Sequence, residues 1–271
     1  MTTTDMQTLI HRQIYRIAGF LHPTDAMAFA GLGMWQRSSR IAGSVMEIGV
    51  FYGRSFAIMA RLIDPAREVA VAADLFDIGP IDDAHSEQLS TFEKNLAFIG
   101  ADRAAVLILK GDSGALQAAE LQSQVGKIRF LSIDGGHEEP QVSSDAMLGM
   151  KILSDDGMMV FDDFFNPQYP DVTFSVFRLL KNEMADFVPF LITKNKLYLC
   201  RSGSAPRYRQ AVALMPLWAG STRERFKFMG SDVTYLYQSL PNRAIYQLLA
   251  TRGLGCVASS ILRPRASRFW R

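Results

Sequence analysis

The 271 residues predict an α/β fold, a doubly wound and mostly parallel sheet, on three observations. Short β-branched or apolar runs alternate with helix-like stretches from about residue 44 to residue 202, the pattern of parallel strands joined by crossover helices. Most of these runs end in Gly or Asp. The last two runs are separated only by Lys194 and Asn195, and because two residues cannot hold a crossover helix, this pair must be an antiparallel hairpin.

Taken in order, residues 1–43 read as two helices, the second N-capped by Thr24 after Pro23, forming a helical cap at one end of the sheet. The central region, 44–202, carries six or seven strands at 45–50, 69–74, 105–110, 128–134, 158–162, 187–193 and 196–201, with a helix near 172–184 before the hairpin. The one antiparallel strand falls in that hairpin. Residues 203–271 read as a mostly helical extension, with helical stretches at 208–218 and 231–250 broken by Gly220, Gly230 and Pro241.

With 48% apolar and 21% charged residues the composition is that of an ordinary globular protein. Cys200 and Cys256 are too few for a disulfide framework, and residues 1–19 carry charges through what would be the apolar part of a signal peptide. A reduced, cytoplasmic protein is expected. No run of about 18 uncharged apolar residues exists, which excludes a membrane-spanning helix. Residues 202–271 hold 11 Lys and Arg against 2 Asp and Glu, so an acidic body precedes a basic C-terminal region. That tail, ending in Arg263, Arg265, Arg268 and Arg271, reads first as a solvated or oligomer-facing segment and second as a contact for an anionic membrane surface or a phosphorylated glycan. No nucleic-acid recognition motif accompanies the charge.

At the first strand, Glu47, Gly49 and Gly53 form an E-x-G-x-x-x-G segment, a carboxylate inside an apolar strand followed by a turn that lets a ligand approach the backbone. The second glycine of a dinucleotide fingerprint is missing, which disfavours NAD. Asp74 ends the second strand, 25 residues after Gly49, where an acid in a nucleotide-binding sheet can accept from ribose hydroxyls. This segment resembles class I S-adenosylmethionine-dependent methyltransferases, whose Rossmann-like sheet ends in one reversed strand. The resemblance implies S-adenosylmethionine as cofactor, with Glu47 toward the methionine amino end, Gly49 and Gly53 as the cofactor turn, Asp74 as the ribose acid, and Asp112 and Ser113 near the adenine. Residues 44–202 are then the cofactor-binding domain.

Asp134 and His137 end the fourth strand, and Asp162 and Asp163 end the fifth, at the same sheet edge as the glycine turn. Adjacent strands lie about 4.8 Å apart, close enough for Asp134 and Asp162 to share an ion, and an all-oxygen set favours Mg²⁺ or another hard divalent cation. Successive strand residues point to opposite faces, so Asp163 can join Asp162 as a ligand only if the chain turns out of the strand. The D-G-x-H element, followed by an acidic pair 28 residues after its Asp, resembles the metal-dependent macrolide-sugar O-methyltransferases of the macrocin and mycinamicin type. That resemblance implies Asp134, Asp162 and Asp163 as metal ligands and His137 as the base removing the acceptor proton. It implies a glycosylated or other polyol acceptor and a place in natural-product or glycan biosynthesis.

A sugar hydroxyl is too weak an acid to attack a methylsulfonium at neutral pH, so the chemistry itself calls for coordination to a dication, which lowers the hydroxyl's pKa and fixes its orientation, and for a base such as a neutral imidazole to take the proton. Phe164, Phe165 and Tyr169 either line the acceptor pocket or pack as loop residues on the terminal helices. His11, His22 and His85 lack acidic company and read as packing or surface residues. Two other readings stand beside this one: a catechol-type O-methyltransferase acting on an aromatic diol, and a non-catalytic S-adenosylmethionine-binding module. A homo-oligomer is expected.

Overall fold

A computed structural model of the chain describes residues 3–77, 87–217, 220–255 and 257. His85, Cys256 and the basic 263–271 segment lie outside the described residues. The chain opens with a short helix, α1 (Thr3–Thr8), continued by a π turn at Leu9–Gln13, and with α2 (Pro23–Ser38). Strands and helices then alternate: β1 (Ser44–Ile48), α3 (Phe56–Ala60), β2 (Ala70–Asp74), α4 (Gln88–Phe98), β3 (Val106–Lys110), α5 (Ala118–Val125), β4 (Ile128–Ile133), α6 (Glu139–Ile152), β5 (Leu153–Phe161) and α7 (Pro170–Lys181). After the hairpin of β6 (Phe187–Ile192) and β7 (Leu197–Arg201) come α8 (Ala205–Leu214), β8 (Ser221–Phe228), β9 (Ser231–Gln238) and α9 (Leu240–Thr251).

The strands form one sheet in the order β3-β2-β1-β4-β5-β7-β6-β9-β8. β1 to β5 are mutually parallel, and β7 runs antiparallel between β5 and β6. Strand order reverses between β1 and β4, so the crevice beyond their carboxyl ends is where such a sheet accepts a ligand. Period-two alternation divides the core: Val45, Ala72, Phe130, Val160 and Tyr198 pack with α2, α3 and α8, whereas Met46, Val71, Leu131, Met159 and Leu199 pack with α6 and α7. A buried polar tie crosses the first layer. Arg129 on β4 is fully buried, donating to Glu68 at 3.0 Å, to Gln36 of α2 at 2.9 Å and to the Leu62 carbonyl at 3.0 Å.

The structure corrects several elements. Among the described residues there are nine strands rather than six or seven, because residues 231–250 are not one helix: β8 and β9 form a second hairpin and α9 begins only at Leu240. The residues between its strands, Met229 (φ +49) and Gly230 (φ +76), both take the left-handed conformation of a tight two-residue hairpin. Within β9, Val233 and Leu236 are buried against the sheet. The helix expected at 208–218 spans Ala205–Leu214, and Trp218 lies outside the described residues. Thr24 is not the cap of α2. His22 occupies that position, and Pro23, which needs no amide partner there, opens the helix. Among the described residues no helix is long and apolar enough to cross a membrane.

Candidate active site

The exits of β1 and β4 are in backbone contact. Gly49 turns at φ +81, and a Cβ there would sit 1.8 Å from the Asp134 carbonyl oxygen, so only glycine fits. The Asp134 amide donates to Ile48 at 2.8 Å and the Gly49 amide to Ala73 at 2.8 Å, which ties the turn to both neighbouring strands. Gly53 (φ +87) faces the Phe92 ring, 2.8 Å from where its Cβ would lie.

Asp74 stands beside this turn but its oxygens are already engaged. Oδ2 accepts from the Val50 and Phe51 amides at 2.8 and 2.9 Å, and Oδ1 from the Phe76 amide at 2.8 Å and Gln88 at 3.1 Å. A carboxylate offers about four acceptor positions, so an acid free to take two ribose hydroxyls is not what the fold presents. Asp74 instead pins the glycine turn, and Asp77 is exposed on the same cavity wall. Glu47 is fully buried behind the turn, near the Ser55 and Ser132 hydroxyls, and does not line the cavity. Burial pushes its carboxyl up to about 7. Asp112 caps a short turn by accepting from the Gly114 amide at 2.9 Å, and Ser113 lies against Asp145, whose carboxyl burial raises to about 6.

The exits of β4 and β5 bring the other expected residues together. Asp163 takes φ +54, turning the chain out of β5, so its side chain and that of Asp162 reach the same site. His137 Nε2 lies 2.9 Å from Asp163 Oδ2, and the imidazole stacks on Tyr169 with ring centres 3.8 Å apart. Asp163 Oδ1 accepts from Asn166 at 2.6 Å and Asn195 at 3.4 Å. Burial opposes ionisation of Asp163, but the donors His137, Asn166 and Asn195 outweigh it and hold its carboxyl below the usual range. Helix α6 starts with its own box, the Gln141 side chain accepting from the Glu138 amide at 3.4 Å.

A residue missed in the sequence occupies the middle of the cluster. Lys196 is 1% exposed, with Nζ 2.6 Å from Asp162 Oδ2 and 3.9 Å from Asp134 Oδ2. Phe161 of β5 pairs with Leu197 of β7, so the next antiparallel step sets Asp162 opposite Lys196. Burial alone would lower the ammonium's pKa; Asp162, Asp134 and buried Asp25 together hold it above its ordinary value. Asp134 is pushed well above the carboxylate range by burial and by Asp162, and burial raises Asp25 to about 6. The available signal was register: with β7 set beside β5, the acid after one strand faces the base before the other.

A cavity of about 640 Å³ joins these parts, lined by Gly49, Asp74, Asp112, Asp134, His137 and Asp163 among others. Tyr169 and His22 also line it, whereas Phe164 is buried in the core and Phe165 is exposed outside it. His22 is thus a cavity residue rather than a surface one, and burial, then Arg243 and Lys194, push its imidazole down to about 3. His11 is buried against Tyr246 of α9, its pKa lowered by burial to about 4. Among the described residues the ligand atoms of Asp134, His137 and Asp163 lie within 4.8 Å of one another, a set from which Asp162 is missing.

Residues 46–164 match a family model described as a methyltransferase domain. The cofactor-bound structure of Rv0187 from MTB is 11% identical with a TM-score of 0.50, covering 74% of this chain and 90% of that one. CalS11, a TDP-rhamnose 3'-O-methyltransferase of calicheamicin biosynthesis, is 18% identical with a TM-score of 0.48, covering 64% and 78%. MycE, the mycinamycin-pathway methyltransferase solved with Mg and SAH, is 18% identical with a TM-score of 0.47, covering 73% of this chain and 54% of MycE. At these identities the likeness is one of fold. Comparison with curated proteins returns no match.

Proposed function

Proceeding from a methyltransferase domain over residues 46–164, we propose that the chain transfers a methyl group from S-adenosylmethionine to a hydroxyl of a sugar or other polyol small molecule. One observation carries this reading: a single cavity is lined both by the glycine turn after β1 and by the His137–Asp163 pair. When bound, S-adenosylmethionine supplies a methyl group on a sulfonium, an electrophile that needs only a deprotonated, aligned acceptor oxygen.

The residues present fit that cofactor. The turn at Gly49 carries no side chain, and the wall holds more carboxylates than bases, which suits a cationic sulfonium. Gly49 and Gly53 would form its cradle, Asp74 would hold that cradle in shape, and Asp112 and Ser113 would flank the base. Glu47 would act from behind the turn. Asn166, Gln168 and Gln141 line the same cavity beside Tyr169, an assortment of donors and acceptors suited to a polyhydroxylated acceptor.

His137 is the base in this reading. Because Asp163 is held ionised, Nε2 of the imidazole carries the proton it shares with that carboxylate, which leaves Nδ1 as the acceptor. The acceptor's O–H proton passes to Nδ1 as its oxygen takes the methyl group. Asp163 fixes the tautomer and stabilises the imidazolium that forms, and Asn166 and Asn195 hold Asp163 in turn.

A divalent ion shared by Asp134, Asp162 and Asp163 fits these residues poorly. Both oxygens of Asp162 are engaged, Oδ1 with the Asp163 amide at 2.8 Å and Asn195 at 3.0 Å and Oδ2 with Lys196, and both oxygens of Asp163 accept from His137 and the two asparagines. No step is derived through a metal. Titration calorimetry tests the proposal: S-adenosylhomocysteine should bind with one-to-one stoichiometry and NAD should not. Heat from NAD alone, or from neither, overturns it.

A further inference from the structure

Lys196 differs from the other charged groups at the sheet edge in how completely the fold encloses it. Its side chain is 2% exposed, its Nζ lies 2.6 Å from one carboxylate and 3.9 Å from a second, and the Phe29 ring of α2 lies 5.6 Å away. It is delivered by the short link between β6 and β7, where the Thr193 amide donates to the Lys196 carbonyl at 3.0 Å. The residue before it, Asn195, bridges Asp162 and Asp163. One tight turn therefore supplies a cation and an amide donor to the acidic exit of β5.

Two carboxylates brought together by adjacent strands repel unless a positive charge lies between them, and a buried charge is tolerated only when paired. The fold meets both conditions with one ammonium. An ammonium and a dication cannot share that place: a hard metal ion needs ligand oxygens at about 2.0–2.6 Å, and Asp162 Oδ2 is already 2.6 Å from Nζ, with Asp134 Oδ2 3.9 Å from the same nitrogen.

Resting on the methyl-transfer reading above, we propose that Lys196 is the built-in cation of this site, standing where a divalent ion would otherwise bridge Asp134 and Asp162, and that the chain works without such an ion. Lys196 acts as a positioning residue: it holds Asp162, and through Asp162 and Asn195 the turn that sets Asp163 against His137. Acceptor deprotonation then rests on the His137–Asp163 pair.

Mn²⁺ binding, read by electron paramagnetic resonance on the full chain after EDTA treatment and desalting, tests this independently of turnover. Wild type should show no bound Mn²⁺ at millimolar metal. Lys196→Ala, relieved of the competing charge, should bind one Mn²⁺ about tenfold more tightly or better, and Lys196→Arg, which restores the charge, should again bind none. Stoichiometric Mn²⁺ on wild type that is lost in Asp134→Asn overturns the proposal. So does Mn²⁺ binding that Lys196→Ala leaves unchanged. If Lys196→Ala does not fold, the wild-type titration decides alone. Measuring S-adenosylhomocysteine binding on the same preparation separates the two readings: a protein that binds it and also binds Mn²⁺ at Asp134 retains the methyl-transfer reading and loses this one, whereas a protein that does not bind it loses both.

Discussion

The His137–Asp163 pair is a contact between two side chains from different strand exits. The imidazole comes from the turn after β4 and its partner Asp163 from the left-handed residue after β5, 26 positions later. A positioned base typically contributes about 10² to 10⁴ in rate, so His137→Ala should lower turnover by that factor with a hydroxyl acceptor while S-adenosylhomocysteine affinity stays near wild type. Asp163→Asn should fall in the same direction, because an amide no longer holds the imidazole as the Nδ1 acceptor. Wild-type turnover in His137→Ala would return the imidazole to a packing role on Tyr169. The pairing of acids with the wrong partners was the main blind spot in the sequence: three carboxylates and a histidine were visible, but Lys196 was not, because nothing in its local sequence distinguishes it from a hairpin lysine.

At the level of elements, the two turns that matter use glycine for different reasons. Gly49 and Gly230 have similar backbone angles, φ +81 and +76, yet Gly49 is pressed against the Asp134 carbonyl and Gly230 has nothing within 4 Å of a Cβ. An alanine at Gly230 incurs only the left-handed conformation, about 1 kcal/mol. At Gly49 the same conformational cost is joined by an overlap that forces β1 and β4 apart, about 3 kcal/mol or more in total. Urea denaturation of Gly49→Ala and Gly230→Ala should therefore give clearly unequal losses, and Gly49→Ala should also lose cofactor binding. Equal losses would mean that the β1 and β4 exits are not in contact. The first of these turns could be recognised from its strand-then-glycine pattern. The second hairpin was mistaken for a helix because its apolar residues at Val233, Leu236 and Tyr237 also suit a helical spacing, and only the pairing of β9 with β6 and β8 resolves the period.

Over the whole molecule, the face of the sheet covered by α2 and α3 encloses charged groups that most cores exclude. Glu47 and Asp25 are buried there with Lys196, and Arg129 is paired further down the same layer. Glu47 has its carboxyl raised from 4.5 to about 7, mainly by burial. A raised acid costs stability as pH rises: below its unfolded value both states are protonated, and between about 4.5 and 7 the unfolded chain ionises while the fold resists. Above about 7 the full cost, roughly 2 to 4 kcal/mol at about 1.4 kcal/mol per unit, is present. Glu47→Gln removes that term, so its stability relative to wild type should increase from pH 4.5 to 7 and level off on either side. A relative stability that does not change across this window would mean that Glu47 is ionised and paired in the fold.

The sequence by itself determined the parallel α/β core, the reversed hairpin and the clustering of Asp134, His137, Asp162 and Asp163 at one edge. These follow from local pattern: strand periodicity, turn length, and the rule that residues just after parallel strands share the carboxyl edge of the sheet. Only the tertiary structure decided which partner each charge takes. Asp74 is consumed by the Val50, Phe51 and Phe76 amides, and Asp162 by Lys196, which lies 34 residues away in sequence, just before β7, the strand adjacent to β5 in the sheet. Ion pairing falls off over a few ångströms and depends on strand order and register. Those are set by how β7 inserts between β5 and β6, a long-range choice that no local pattern in the chain records.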